Sequence, residues 1–340
     1  MGASATGFDV EFDPRPIYDF LVSFVAADDD LAELAEEDRR WLTESRAGIS
    51  KRLRHLLDFE KRRSGPPNLA AMAVAFPELQ GPADYVRAVE QQDAREVVRV
   101  LLQDLLEQPK AAPFADAALH GDRDAIARVQ DACGPEPDLA LLRDQAATIA
   151  TLREGLRYWL ARYEPLQERV SRALERDVAI RRDDRSTLDP PALVERTTGG
   201  IRFLADAGVR RVLLAPVYFG RPYNYVFSAD GWRLFCYPIA DSAIGEPEGD
   251  RPPAATVRLY RALGDPTRLR ILKLLSQREH YLTELAQQLE LSKPTIKHHL
   301  AQLRFAGLVT LIEEGSLTYY SLRWDRVQTA GAEVQAYLSS

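Results

Sequence analysis

The stretch LSKPTIKHHLAQLRFAGLV, residues 291–309, gathers Lys293, Lys297, His298 and His299. Side chains of these types support three kinds of chemistry. Imidazoles ligate metals, a histidine can act as a general base, and a row of cationic and hydrogen-bonding groups can dock on an anionic surface. Successive residues of a helix diverge by about 100 degrees. His298 and His299 therefore cannot converge on one ion as an i, i+4 pair does, and no Cys, Asp or Glu lies in the helix to complete a ligand set. A catalytic histidine needs a nucleophile and an orienting carboxylate, and the GxSxG, HExxH, GxGxxG and P-loop patterns are absent from the chain. At helical spacing Ile296, Leu300 and Leu303 share one face with His299 at its margin, whereas Pro294, His298, Ala301 and Phe305 point away. Such a helix fits a DNA major groove, where Lys and His donate to guanine N7 and O6 and Thr and Gln read base edges or phosphates. Ser292, Lys293, Thr295, Lys297, His298 and Gln302 are the candidate DNA contacts. His299 reads equally well as a packing residue or as a contact.

The elements around this helix have to hold it out to solvent. TVRLYRALGD and PTRLRILKLLSQ read as two helices, the second with Asp265 as N-cap and Pro266 at its first position. LTELAQQLEL is a third, starting at or near Thr283. Ser292 caps the fourth, Pro294 lies in its first turn and Gly307 ends it. Two strand-like runs, 308–312 and 317–322, are joined across EEGS and followed by an amphipathic segment from Asp325 to Leu338. Helix, turn, helix, hairpin is the order of a winged helix-turn-helix.

RALGDPTRLRILKLL, LTELAQQLELSKPTIKHHLAQLRFAGLV and EEGSLTYYSL together resemble the winged-helix core of the ArsR/SmtB (arsenic-repressor-like) transcription regulators, over about residues 256–323. The resemblance implies a homodimer, paired through the first and last helices of the winged domain, that binds a double-stranded, pseudo-palindromic operator and usually represses. Metal-sensing members carry CxC at the start of the third helix; the corresponding positions here are Tyr281 and Thr283, and the terminal helix lacks the His and carboxylate ligands of other members. The known metal sites are therefore excluded. The wing tip, often basic in the family, is Glu313-Glu314-Gly315, so Arg323 or Arg304 is expected to supply phosphate contact instead. Tyr319 and Tyr320 match the second wing strand and are expected to pack there.

The chain has 340 residues, 46% hydrophobic and 28% charged, with a net charge of −7, which argues for a globular protein of two domains. The charge is divided unevenly. Residues 251–340 hold 12 Lys/Arg against 8 Asp/Glu, net +4, and the upstream part 32 against 43, net −11, so the C-terminal part is the one suited to an anionic partner. Cys133 and Cys236 are isolated and form neither a disulfide framework nor a thiolate site. The N-terminus lacks a basic leader region, and the apolar run 17–27 is too short for a bilayer and contains Asp19, so a cytoplasmic protein without membrane attachment is expected.

Upstream, FDVEF (8–12) alternates as a strand before Pro14 and Pro16, and Asp28, Asp29 and Asp30 read as caps of a following helix rather than as a cation site. Residues 47–59, 84–108 and 125–132 carry helical periodicity. So does the long stretch from Pro137 to Pro190, with Leu152, Leu156, Trp159, Tyr163 and Leu166 in register and a bend expected near Pro165. After DPP (189–191), the runs 210–219 and 231–240 are rich in β-branched and aromatic residues, which predicts a small sheet joined by 8–12. Residues 241–255, dense in Gly, Pro and acids, divide the chain into an N-terminal regulatory or effector domain, 1–248, and the winged domain, 255–340. VEFDPRPIYDFLVSF and RRVLLAPVYFGRPY resemble N-terminal extensions of some members of the family.

The fold class is thus mainly α with small β: a C-terminal winged helix-turn-helix behind a larger, mostly helical domain carrying a small sheet. Within that upstream domain VYFGRPYNYVF collects Tyr218, Phe219, Arg221, Tyr223 and Tyr225. They suit an aromatic pocket with a cationic anchor for a small-molecule effector, with Trp159 and Tyr163 as opposite walls, or else a loop that covers a core edge. No catalytic residue, metal or cofactor is expected. Two other classes remain open: an upstream enzyme tethered to the winged helix, or a winged helix that contacts protein, for which the acidic wing speaks.

Overall fold

A computed structural model describes residues 7–25, 33–57, 68–133, 139–204, 208–245, 252–314 and 317–339. The capping reading for Asp28–Asp30, part of the 241–255 linker and the turn at Gly315 lie outside them. The protein is mainly helical with two small four-stranded sheets.

The first sheet comprises β1 (Asp9–Phe12), β3 (Arg211–Val217), β4 (Tyr225–Ala229) and β5 (Trp232–Pro238), in the order β1-β3-β5-β4. β1, β3 and β5 run parallel, and β4 returns antiparallel on β5. A parallel strand covered on both faces reads as an unbroken apolar run, as VLLAPV does. Its side chains alternate between two cores. Leu213, Ala215 and Val217 with Leu234 and Cys236 join the large helical core, while Val212, Leu214, Phe235 and Tyr237 pack on Phe8, Leu193, Val194, Ile201 and Phe203.

The helical side is organised on Ile17–Val25, every residue of which is buried, and on the 36-residue helix Gln145–Ile180, which continues through Pro165. Leu152, Leu156, Trp159 and Tyr163 line its buried face, as their spacing predicts. Asp189 accepts from the Ala192 N–H at 2.9 Å and starts the helix Pro190–Thr197, with prolines at its first positions. Among the described residues no helix is long and apolar enough to cross a membrane.

The second sheet comprises β2 (Ile201–Leu204), β6 (His280–Tyr281), β7 (Val309–Glu314) and β8 (Leu317–Leu322), in the order β2-β7-β8-β6. β6, β7 and β8 are the sheet of the winged helix. β2 comes from upstream and pairs in parallel with the outer edge of the wing, Ile201 opposite Leu311 and Phe203 opposite Glu313. Its approach depends on Gly200, whose φ is +109°. A Cβ there would lie 3.2 Å from the Val309 carbonyl oxygen.

Four helices complete the winged part: Ala254–Leu263, Pro266–Leu275, Leu282–Leu289 and Lys293–Phe305, before a last helix Trp324–Ser339. Asp265 accepts from the Arg268 N–H at 2.8 Å, the third helix starts one residue before Thr283, and Gly307 has a φ of +76°. Leu259, Ile271, Leu285, Ile296, Leu300, Leu303 and Leu308 form the core of this part. Tyr320 packs into it and Tyr319 lies edge-on to Tyr281, as the wing reading expects.

Candidate nucleic-acid interface

The helix Lys293–Phe305 is fixed at its start by Ser292, whose hydroxyl accepts from the Thr295 N–H at 3.2 Å and lies 2.7 Å from the Thr295 hydroxyl. Ile296, Leu300 and Leu303 then sink one face into the core. What remains differs along its length. In the first half Ser292, Lys293, Pro294, Thr295 and Lys297 are exposed. The positive end of the helix dipole and two ammonium groups coincide there, an arrangement that attracts phosphate.

The second half is covered. Gln302 and Arg304 are only 6% and 7% exposed, so their expected place on the groove side has to be corrected. Arg304 donates from Nη1 to the Thr198 carbonyl at 3.1 Å, inside the interface with the upstream domain, and burial lowers its pKa to about 10. A guanidinium held there does not reach a phosphate. The outward side of the helix faces the upstream domain at this point, and helical periodicity cannot reveal a neighbour contributed by a segment a hundred residues earlier. His298 stands at the border, half-buried, with Nδ1 2.7 Å from the Tyr223 hydroxyl. His299 is half-buried at the core margin with Nδ1 3.9 Å from Asp265, and burial lowers its pKa. Arg323 is shared with Asp325 at 3.0 Å.

The wing is attached as well. Glu313 receives Arg233 of β5 at 2.7 Å, so this carboxylate is a tie between the two parts of the chain and not a bare negative charge on the wing. On the other side Arg258 donates to Asp241 at 2.6 Å and to Glu33 at 3.2 Å, and Arg261 donates to Glu33 at 3.1 Å. The Arg258 guanidinium also lies 4.1 Å from the centre of the Phe305 ring. Nothing local in the sequence pairs Glu33 with Arg258.

The aromatic loop between β3 and β4 is divided in its contacts. The Tyr218 hydroxyl donates to Asp38 at 2.6 Å and accepts from Arg169 at 2.9 Å. Phe219 stacks on Trp41 at 4.7 Å and meets Tyr163 edge-on at 6.3 Å, while Trp159 packs on Trp41 at 5.6 Å. Arg221 is buried under these rings, its guanidinium 4.8 Å from the centre of Tyr218 and its Nε donating to the Tyr218 carbonyl at 3.0 Å. Tyr218, Phe219 and Arg221 are thus brought together with Tyr163, as the pocket reading expects, but they fill a core edge. Tyr225 packs from β4 against the helical core, and Tyr223 turns away to the recognition helix. One wall of five residues is therefore not what the loop forms.

Beneath it lies Asp19, fully buried. It accepts from the Phe219 N–H at 2.8 Å, the Tyr218 N–H at 2.5 Å and the Tyr163 hydroxyl at 2.8 Å, and burial nevertheless pushes its carboxyl up to about 6. The signal for this residue was visible as an acid inside the apolar run IYDFLVSFV.

Residues 265–310 match the model of the family described as bacterial regulatory protein, arsR family. An uncharacterised HTH-type transcriptional regulator of Methanocaldococcus jannaschii is 41% identical over 71 residues, 21% of this chain and 80% of that protein. The transcriptional repressor SdpR of Bacillus subtilis is 38% identical over 64 residues, 19% of this chain and 71% of its own length. The HTH-type transcriptional regulator CmtR of Mycobacterium tuberculosis is 40% identical over 87 residues, 25% of this chain and 74% of its own length. These likenesses extend over a quarter of the present chain at most, while they take in most of each relative. A capped, core-anchored recognition helix with a free basic first half, carried on the sequence those regulators share, makes this chain a member of the arsR family of bacterial regulatory proteins, with a long additional part upstream.

Proposed function

We propose that the chain is a cytoplasmic, homodimeric transcription repressor that reads a two-fold symmetric operator and answers to a non-metal signal received by residues 1–248. The observation that carries this reading is the division of the recognition helix, basic and exposed over Ser292–Lys297 and fastened to the upstream domain over its second half. Ser292, Lys293, Thr295 and Lys297 contact DNA, His298 reads a base edge, and Arg323 reaches a phosphate from beside the wing. The last helix has no fully buried side chain, only Val327 and Ala330 resting on the winged core, and Trp324 and Leu338 on it are exposed, as are Val257 and Tyr260 on the first winged helix. An apolar surface of this kind on both helices supports pairing across a two-fold axis. The signal passes through the loop after β3, at the carboxyl ends of the parallel strands, where Tyr218, Phe219 and Arg221 are packed at the edge of the helical core and Tyr223 reaches the recognition helix.

Sheared genomic DNA selected on the purified full-length protein and sequenced tests the reading. A symmetric motif, retained with an affinity that falls steeply as salt rises, is the expected result. Retention without a motif, or binding insensitive to salt, would instead favour a winged helix that contacts protein.

A further inference from the structure

Tyr223 carries the aromatic loop to His298, at the border between the exposed and the covered half of the recognition helix. Its hydroxyl lies 2.7 Å from Nδ1 of His298, and the two rings are tilted at 48° with centres 6.3 Å apart. The loop presenting it is held at both ends. The Tyr223 N–H donates to the Gly220 carbonyl at 2.8 Å, Pro222 is buried, and the Asn224 side chain donates to the Thr198 carbonyl at 3.2 Å. That same carbonyl accepts from Arg304, six residues along the helix from His298. Three residues on from Thr198, β2 enters the wing sheet. The phenol therefore meets the imidazole as part of a fixed frame.

A neutral imidazole carries one ring proton, and the nitrogen that bears it is set by the partner of the other. A tyrosine hydroxyl can donate to a bare ring nitrogen or accept from a protonated one. When the Tyr223 O–H donates to Nδ1, the proton of His298 resides on Nε2, and His298 becomes a donor of fixed orientation. Guanine N7 and O6, adenine N7 and thymine O4 in the major groove accept such a donor, and the amino groups adenine N6 and cytosine N4, which themselves donate, do not. The geometry points to Tyr223, a residue of the upstream domain, as the positioning residue that fixes the tautomer of His298 and so sets base preference at one position of each half-site. This rests on the DNA-reading role proposed for His298. It gives the upstream domain a direct means of acting on the operator: whatever moves the loop after β3 changes what the recognition helix reads.

The test uses the full-length protein and the operator recovered by genomic selection. Tyr223→Phe keeps the ring and removes only the hydroxyl. Expected is a loss of discrimination at a single base pair per half-site of about ten-fold, at the same base pair as in His298→Gln, with the double variant no worse than either. In protein with 15N-labelled histidine, His298 should show a protonated Nε2 and a bare Nδ1, a signature that Tyr223→Phe removes. Unchanged base preference in Tyr223→Phe, or a proton found on Nδ1 in the parent protein, would overturn the proposal. Tighter operator binding by Tyr223→Phe would also overturn it and would show that the contact masks His298. If the parent protein retains no symmetric motif, the DNA-reading role itself falls and takes the proposal with it, an outcome distinct from a parent that reads an operator and a variant that reads it equally well.

Discussion

At the scale of single residues, the exposed Lys297 and the buried Asp19 behave in opposite ways. Lys297 is exposed, and in the DNA-contacting role proposed for it the contribution would be mainly release of counterions. Lys297→Ala should weaken operator binding about equally across sequence variants and lower the slope of log affinity against log salt by about one, with circular dichroism unchanged. A folded variant with unaltered affinity would move the groove-facing surface elsewhere. Asp19 lies in the core beneath the aromatic loop, with a carboxyl pushed up to about 6 by burial. The folded state holds this proton more tightly than the unfolded chain, whose carboxyl titrates near pH 4. Its contribution is therefore fully present below about pH 4 and is lost as pH rises through about 6. Relative to Asp19→Asn, the parent protein should lose on the order of 2 to 3 kcal/mol of stability between pH 4 and pH 7, measured by urea unfolding. A difference that stays constant with pH would mean that the carboxyl ionises without penalty.

At the scale of elements, Gly200 decides whether β2 can join the wing. Its left-handed backbone and the 3.2 Å approach of a virtual Cβ to the Val309 carbonyl both oppose any side chain. Gly200→Ala should cost about 1 to 3 kcal/mol and speed hydrogen exchange at the amides of β7 that face β2. Equal exchange in variant and parent would show that the strand pairing tolerates the change. The winged elements were legible in sequence because their signals are local: Asp265 and Ser292 as caps, Gly307 as terminator, apolar residues at helical spacing, and a hairpin of β-branched and aromatic residues. β1, β3 and β5 were legible for similar reasons of composition. β2 was not. Its four residues, Ile201–Leu204, alternate in and out, but their partner lies more than a hundred residues away, and only the Gly199-Gly200 pair before them hinted at a close approach. The burial of Gln302 and Arg304 was hidden for the same reason. The exposed first half of the recognition helix, by contrast, could be placed from its own sequence alone.

At the scale of the whole molecule, the reader and the upstream domain are joined by charges as well as by backbone. Arg258 is nearly buried between Glu33 and Asp241, and its removal leaves two carboxylates without their partner in a site with little water. Arg258→Met should cost roughly 3 kcal/mol in a denaturant titration of the full chain. Restoration of stability by neutralising Glu33 and Asp241 together would identify the uncompensated charge as the cause, and no restoration would assign the loss to packing on Phe305. The net −11 of the upstream part and the net +4 of the C-terminal part thus meet across a specific set of ion pairs, and the first half of the recognition helix keeps its positive character outside them.

The pairing of β2 with β7 also bears on how the protein is made. A ribosome releases Ile201–Leu204 long before Val309–Glu314, and in the interval the first sheet has all four of its strands whereas β2 has an unmatched edge. The β2–β7 pair can therefore close only after the first sheet has all its strands, so a nascent chain can complete that sheet before the winged part is seated beside it.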